Sequence, residues 1–232
     1  MKIIRIIVFF VCVCSVPAFS QSPGSQSLAR VTSGIDLGVG YLDKQWAPSA
    51  MYHQELSLRH FPWFRVGWGV RAWGYYTGRK DLLPQTSAVS DDTLKFGRIS
   101  SNGVSFLMGA SIRLWRFDIG ANTDLVGIAF GLKRRGLYTK SSAFEGEGQD
   151  YYNNYVRSNP ATINALPLFM DKQNGQSEVF LRFWITDRIG LKVGYLHGRN
   201  TYATEVKLDN GHRRFSNTYG LPFAAIAFPM YN

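Results

Sequence analysis

The sequence predicts an all-β protein, an eight-stranded antiparallel up-and-down transmembrane β-barrel. Three observations predict it: eight segments of alternating apolar and polar residues, charged residues and glycines confined to one face of each segment, and connections of very unequal length. Because successive side chains of a strand point to opposite faces, each segment has one apolar and one polar face. The clearest example is FDIGANTDLVGIAFG, residues 117–131.

Residues 1–20 of the 232-residue chain are predicted to be a cleaved secretory signal peptide. Two basic residues precede an apolar run, and Ala18-Phe19-Ser20 matches a small-x-small cleavage site. The run is too short for a transmembrane helix, and no later stretch approaches the ~18 apolar residues that such a helix needs. Both cysteines lie in this segment, so we expect no disulfide or cysteine-bound metal in the mature chain.

The chain is basic, with a formal net charge of +10. Removal of the signal peptide leaves 24 basic against 16 acidic residues. In an exported protein we attribute this excess to contact with anionic lipid phosphates, which attract basic groups at a membrane surface. We therefore predict no nucleic-acid partner.

Eight strands are predicted in order after a polar periplasmic lead-in, residues 21–33. Most alternate well, but the second is the least regular, and the eighth contains Pro222, which removes a ladder donor. In the fifth, a β-bulge near Gly127 would keep Val126, Ile128 and Phe130 on the apolar face. The predicted strands cover residues 34–42, 51–60, 64–76, 103–114, 117–131, 176–185, 189–202 and 215–228.

The lengths of the connections favour a membrane barrel over a soluble one. Links after the second, fourth and sixth predicted strands have two or three residues, whereas those after the others run from seven to over forty. Outer-membrane barrels have short periplasmic turns and long external loops. We therefore predict a barrel domain over residues 34–232, with long external loops at 77–102 and 132–175. Another hairpin within the second loop would make ten strands.

The polar faces carry glycines together with nearly balanced charges. Each glycine within a strand lowers the stability by about 0.5–1 kcal/mol. The presence of so many glycines on one face is explained better by a narrow lumen filled by side chains than by a solvated surface. Five acids and six bases share these faces, and we predict that they pair inside the lumen and plug it. They are Asp36, Glu55, Arg59, Arg65, Arg71, Arg113, Asp118, Asp124, Glu178, Arg182 and Lys192.

Aromatic residues cluster at both ends of the predicted strands, as in the aromatic girdles of membrane barrels. The cluster near the short turns contains Phe61, Trp63, Trp115 and Phe117. The cluster near the long loops contains Trp73, Tyr75, Tyr76 and Tyr202.

With these features in place, the chain resembles the small outer-membrane β-barrel proteins of Gram-negative bacteria, with an OmpA/OmpX-like architecture. The phrase DIGANTDLVGIAFG followed by a very long loop is most similar to the uncharacterised barrels common in the Bacteroidetes. The resemblance covers roughly residues 34–228. It implies a multi-pass barrel in the bacterial outer membrane, contact with outer-membrane lipids and lipopolysaccharide, and recognition by the assembly machinery through Phe228 or Tyr231.

The predicted role is structural or recognition-based, acting through the long external loops. One alternative is an outer-leaflet lipid A-modifying enzyme, since the deacylases and palmitoyltransferases among small barrels use a histidine with a serine and an acid. His53, Ser57 and His197 are the candidate catalytic residues. His53, Glu55 and Ser57 project to one face of the second strand, but residues two apart on a strand lie ~7 Å from one another, which suits a nucleophile–base contact poorly. We therefore predict no enzyme. A small pore is the second alternative.

The longest loop holds the candidate recognition residues. Tyr151, Tyr152 and Tyr155 offer aromatic, hydrogen-bonding groups of the kind that recognition surfaces use, or they pack the loop onto the barrel rim. Glu145, Glu147 and Asp150 would suit calcium but lack the spacing of a known calcium loop. We expect no metal and no cofactor, and the surface ligand is unknown from the sequence.

Overall fold

The computed structural model describes residues 29–84, 92–139, 150–165 and 174–230. The predicted signal peptide and residues 21–28 of the lead-in lie outside these ranges, as do Glu145 and Glu147. Within them no helix is long and apolar enough to cross a membrane. The described residues form thirteen strands: β1 (Ala29–Leu42), β2 (Gln45–Leu58), β3 (Phe61–Thr77), β4 (Lys80–Pro84), β5 (Thr93–Phe96), β6 (Ile99–Leu114), β7 (Phe117–Phe130), β8 (Arg134–Thr139), β9 (Tyr155–Pro160), β10 (Ile163–Ala165), β11 (Gly175–Thr186), β12 (Ile189–Thr204) and β13 (Arg214–Met230).

The longest strands close into a ring. Each pairs antiparallel with the next, in the order β1, β2, β3, β6, β7, β11, β12 and β13, and β13 pairs back onto β1. These ring strands have 12 to 17 residues each. Closure of the sheet on itself leaves none of them with an unpaired edge.

The predicted total of eight strands is wrong, and so is the alternative of ten. The five additional strands have only three to six residues and lie in the two segments predicted as long external loops. The alternation of apolar and polar residues in these strands is a weak signal, because over so few residues it cannot be distinguished from chance. Strands β4, β5, β8 and β9 pair in series between β13 and β12.

A second, smaller ring results from this pairing. Because β12 and β13 also pair with each other, β4, β5, β8 and β9 complete a closed circuit with the adjoining ends of β12 and β13. We call this smaller ring the extension. It stands at the end of the barrel where the long connections lie, the long-loop end, and the opposite end is the short-turn end.

Several predicted boundaries are corrected by the structure. Residues 29–33, predicted as lead-in, belong to β1 and pair with β2. The predicted link of residues 43–49 is a two-residue turn at Asp43 and Lys44, both with positive φ (48° and 63°), as a tight type I′ hairpin requires. The first of the connections predicted to be long is therefore short. Strand β2 starts at Gln45 and includes Pro48. Because proline lacks a backbone donor, its presence in the sequence argues against a strand at this position.

The predicted bulge is confirmed. Phe106 pairs with Val126 while the next residue, Leu107, pairs with Asp124, so Leu125 is the extra residue on β7. Its insertion reverses the alternation of β7, and Val126, Ile128 and Phe130 lie exposed on the outside of the ring. The bulge thus keeps the apolar face continuous along a strand whose sequence changes phase.

The outside of the ring is apolar. Leu37, Ile119, Val193 and Ile226 lie on four different strands and are 42–50% exposed, and large aliphatic and aromatic side chains surround them on neighbouring strands. Soluble monomers rarely expose contiguous apolar patches larger than a few hundred Å². The polar face of each strand points inward, where most of its ionised side chains are buried.

Glycines let the inward side chains fit. A Cβ at Gly120 would lie 2.7 Å from both the Ala110 carbonyl oxygen and the Phe180 ring, and a Cβ at Gly198 would overlap the ring of Tyr219. These positions have no room for a side chain, as expected for an eight-stranded lumen.

We predict that Gly120→Ala lowers the free energy of unfolding by about 1–3 kcal/mol, the usual range for overpacking a filled interior. Urea unfolding of the protein refolded into lipid vesicles measures it. Gly78→Ala is the matched control, since no heavy atom of the described residues beyond its two chain neighbours lies within 4 Å of its Cβ position. Equal stability of the two variants would show that the lumen beside Gly120 is not filled.

Candidate functional site inside the barrel

Ten ionised side chains meet inside the ring, and we call them the ionic network. Seven of the eight ring strands contribute to it; β13 supplies small residues instead, with Ala225 and Ala227 buried. All are buried except Arg113, whose side chain is 33% exposed at the short-turn end. The members are Asp36, Glu55, Asp118, Asp124, Glu178, Arg65, Arg71, Arg113, Arg182 and Lys192.

Arg182 on β11 joins three strands across the lumen. Its Nη1 lies 3.1 Å from Glu55 Oε1 and 3.5 Å from Asp118 Oδ2, and its Nη2 lies 3.5 Å from Asp36 Oδ2. The guanidinium also lies over the ring of Trp184, with its central carbon 5.4 Å from the ring centroid. Such a group shares one positive charge among the three carboxylates and fills the space between them.

Lys192 and Arg71 extend the network toward the long-loop end. The Lys192 ammonium contacts Glu178 and lies 2.9 Å from Asp36 Oδ2. Arg71 lies 3.6 Å from both Glu178 and Asp124. Cations and carboxylates alternate along this path, so neighbouring groups attract one another.

The network is neutral as a whole, with five carboxylates and five basic groups. A buried charge without a partner is strongly destabilising, because its hydration is lost with nothing in exchange. The pairing therefore allows a narrow interior to hold many ionised groups. Arg113 completes it at the short-turn end through a two-point contact with Asp118, at 2.6 Å and 3.0 Å.

His53 sits beside the network with an acid on each side. Its Nε2 lies 3.3 Å from Asp36 Oδ1, and its Nδ1 lies 3.5 Å from Glu55 Oε1. The ring is buried within the lumen. Ser57 does not join this group, since its hydroxyl donates instead to the Arg30 carbonyl at 3.4 Å.

The three predicted catalytic candidates are not assembled into a site. His53 points into the lumen, whereas His197 lies on β12 at a position that alternates with the inward residues Leu196 and Gly198. Ser57 lies four positions after His53 along one strand, or about 13 Å away. Among the contacts of the described residues, none joins two of the three candidates.

A cavity opens into the lumen at the short-turn end. Its volume is about 450 Å³, and its lining includes Arg65, Arg113, Arg182 and Trp184. A smaller cavity of about 30 Å³ lies deeper, beside Glu55, which is room for little more than a water molecule. The lumen is thus open at this mouth and narrows at the ionic network.

Aromatic side chains fill the lumen beyond Arg71, and we call Trp73, Tyr75 and Tyr219 the aromatic layer. The rings of Tyr75 and Tyr219 stack 4.0 Å apart at 12°. Trp73 Nε1 donates to the Ser105 hydroxyl at 3.0 Å, and Gln176 donates to the Tyr219 hydroxyl at 2.9 Å. All three rings are buried with their polar atoms paired.

This placement corrects part of the predicted aromatic girdle. Trp73, Tyr75 and Tyr202 face inward and are buried, whereas Tyr76 is half-buried. The alternation of β3 already places Trp73 and Tyr75 on the face of Arg71, which is the signal that could have located the aromatic layer. At the short-turn end Phe61, Trp63, Trp115 and Phe117 are all exposed.

The extension encloses the outer part of one apolar cluster, which is continuous with the aromatic layer. This part is formed by Leu82, Leu94, Phe96, Tyr138, Val156, Tyr202 and Phe215, all buried. The Tyr138 hydroxyl donates to Asp92 at 3.0 Å, and Asn210 donates to the same carboxylate at 2.9 Å. Burial, and the negative charge of Asp92 beside it, raise the pKa of Tyr138 above its usual value.

The three loop tyrosines differ in environment. Tyr151 packs against the core of the extension, and its backbone N–H donates to the Asp209 carboxylate. Tyr152 and Tyr155 are 38% and 68% exposed. Only the latter two are therefore presented to the surroundings.

One predicted lumen residue lies elsewhere. Arg59 is exposed in the two-residue turn between β2 and β3, because β2 ends at Leu58, before the predicted boundary at residue 60. The alternation of polar and apolar residues continues from β2 into the turn, so the pattern does not show where the strand ends.

Sequence reasoning missed Asn122 and Trp184, which donate to Glu178 at 2.6 Å and to Asp118 at 2.7 Å. Both share the inward face of their strands with predicted members.

The described residues contain no group of three or more histidine, cysteine, aspartate or glutamate side chains placed to hold a metal ion. Asp150, the one described member of the candidate calcium set, is exposed.

Similarity to known proteins is confined to solved structures. No model of a protein family matches the chain, and no curated protein matches it. Neisserial surface protein A is 9% identical with a TM-score of 0.36, covering 87% of this chain and 97% of that one. A major outer membrane protein from Thermus thermophilus is 7% identical with a TM-score of 0.39, covering 87% of this chain and 100% of that one.

We predict that Arg182→Met lowers the free energy of unfolding by about 3–5 kcal/mol, since it removes a buried cation shared by three carboxylates and leaves the lumen with an uncompensated negative charge. Urea unfolding in lipid vesicles measures it. Lys133→Met is the control: Lys133 pairs with Glu205 at 3.1 Å on the surface, where such a pair contributes about 0–1 kcal/mol. A loss at Arg182 no larger than at Lys133 would contradict the role given to the ionic network.

Proposed function

We propose that the chain is an outer-membrane β-barrel protein of a Gram-negative bacterium, exported by a cleaved signal peptide. The observation that carries the proposal is the closed ring with an apolar outside and an ionised inside. In a bilayer every backbone polar group needs a partner within the protein, and a closed barrel provides one for each. A lysine or arginine on the lipid face near the midplane costs about 2–4 kcal/mol, which explains why the charges lie inside.

The short-turn end faces the periplasm in this proposal, and the extension faces the outside of the cell. Strand β1 begins and strand β13 ends at the short-turn end, as expected when both termini stay in the periplasm. The exposed aromatic residues at this end suit the membrane–water boundary.

The lumen is closed to ions in this proposal. A solute entering at the short-turn mouth meets first the ionic network and then the stacked rings of the aromatic layer. Beyond them the buried apolar cluster continues into the extension. Paired charges, close-packed rings and this apolar cluster support a lumen without a continuous water-filled path.

We propose that the protein has a structural role and that it recognises a surface ligand through the extension. In residues 78–98, 131–162 and 199–214 the described part holds twelve basic and five acidic residues. This excess favours contact with lipopolysaccharide phosphates, and the exposed rings of Tyr152 and Tyr155 add aromatic groups for a surface ligand. Recognition by the assembly machinery and a Bacteroidetes-type relationship stay predictions.

Epitope tags test the orientation. A tag inserted in the turn at residues 210–211 should be bound by antibody on intact cells, because this turn lies at the long-loop end. The matched tag at residues 187–188, in a turn at the short-turn end, should be bound only after the outer membrane is permeabilised. Both chains should sediment with the outer membrane. Recovery of the folded chain in the soluble periplasmic fraction would contradict the membrane proposal.

Planar-bilayer recordings test the closed lumen. We expect no stepwise conductance from the full chain above that of protein-free bilayers. Joint replacement of Arg182, Tyr75 and Tyr219 by alanine should produce conductance, since it removes the central cation and the stacked rings. The control Tyr152→Ala with Tyr155→Ala, on the surface, should not. Steady conductance of the unaltered protein would exclude the closed lumen while leaving the membrane proposal intact.

A further inference from the structure

The outer wall of the barrel changes character along β3, β6 and β7 toward the long-loop end. Val104 and Ile128 face outward and are exposed. One step further along, Tyr76, Asn102 and Phe130 share the same face, and the Tyr76 hydroxyl contacts Asn102. The wall thus passes from aliphatic to mixed aromatic and polar groups.

Two arginines, Arg98 and Arg134, follow on this wall toward the long-loop end. A notch of about 560 Å³ opens there, and we call it the rim notch. Among the described residues that line it there are two guanidinium groups and no carboxylate. Its lining is Tyr76, Arg98, Ser100, Asn102, Phe130, Gly131, Leu132 and Arg134.

Arg134 is held in place while part of its guanidinium lacks a partner. Its Nη2 donates to the Ser100 hydroxyl at 3.3 Å, and its Nε is buried with no hydrogen-bond acceptor in the described residues. Ser100 is itself fixed from the other side, because Tyr202 bonds both its carbonyl and its N–H. A positioned, incompletely paired guanidinium suits an oxyanion ligand.

A second depression of about 560 Å³ on the extension offers a contrast. Glu205 lies in its lining and pairs with Lys133 at 3.1 Å. Arg213 donates to the Thr204 and Glu205 carbonyls at 3.0–3.2 Å. Lys133 and Arg213 are therefore paired with groups of the protein itself, whereas no carboxylate of the described residues lines the rim notch beside Arg98 and Arg134.

We infer that the rim notch binds a phosphate group of lipid A, the lipid anchor of lipopolysaccharide, from the outer leaflet. The order of groups along the wall matches the order within such a lipid: Val104 and Ile128 face acyl chains, Tyr76 and Asn102 face the sugar, and Arg98 and Arg134 pair with the phosphate. Leu132 and Phe130 add apolar contact beside the headgroup. This inference rests on the proposed outer-membrane placement.

Binding of purified lipid A to the folded full chain in detergent micelles tests the inference, with native mass spectrometry as the readout. The double variant Arg98→Gln with Arg134→Gln should bind about thirtyfold more weakly, since each basic residue near an anionic lipid surface contributes about a factor of five. The matched control is Lys133→Gln with Arg135→Gln, which removes the same charge from neighbouring positions outside the lining of the rim notch and should weaken binding much less.

Three results would overturn the inference. They are equal loss of binding in both double variants, equal binding of dephosphorylated lipid A, and full displacement of lipid A by inorganic phosphate, which would indicate a site for the free anion. The tag and sedimentation measurements are made on the same variants. If a variant resides in the outer membrane and any of the three results is found, this inference fails alone; absence of the chain from the outer membrane removes both proposals.

Discussion

The contacts of Arg182 with three carboxylates are the interaction on which the rest of the barrel depends. Asp36, Glu55 and Asp118 come from β1, β2 and β7, and the guanidinium contacts all three. Each carboxylate has a second cation as well, so that Arg182 connects three pairs into one network. Because the charge is balanced inside, the middle of the outer wall can be largely apolar, as a strand in hydrocarbon requires.

Alternation within strands was the part of the fold that the sequence could reveal. Strand β7 shows why: its inward carboxylates and glycines follow a strict period of two, and even its change of phase was visible from Val126 onward. The position of a residue on such a pattern determines its face directly. Most predicted lumen residues therefore lie where expected, and Arg59 does not because a pattern alone does not show where a strand stops.

Pairing between distant segments was beyond such reasoning. The extension depends on β4, β5, β8 and β9, whose partners are set by tertiary contacts rather than by their own few residues. The same holds for the rim notch, in which Arg98 and Arg134 come from the two different segments predicted as long loops and meet only in the folded chain. The sequence shows the excess of basic residues but not which of them meet in the folded chain.

The hairpin of β12 and β13 belongs to both rings, and its two strands follow the other eleven described strands in the chain. Neither circuit can be completed before this hairpin is in place. The extension consequently matures in the same step as the ring of long strands. A chain truncated before this hairpin would complete neither ring, so in the proposed placement a finished extension requires a finished barrel.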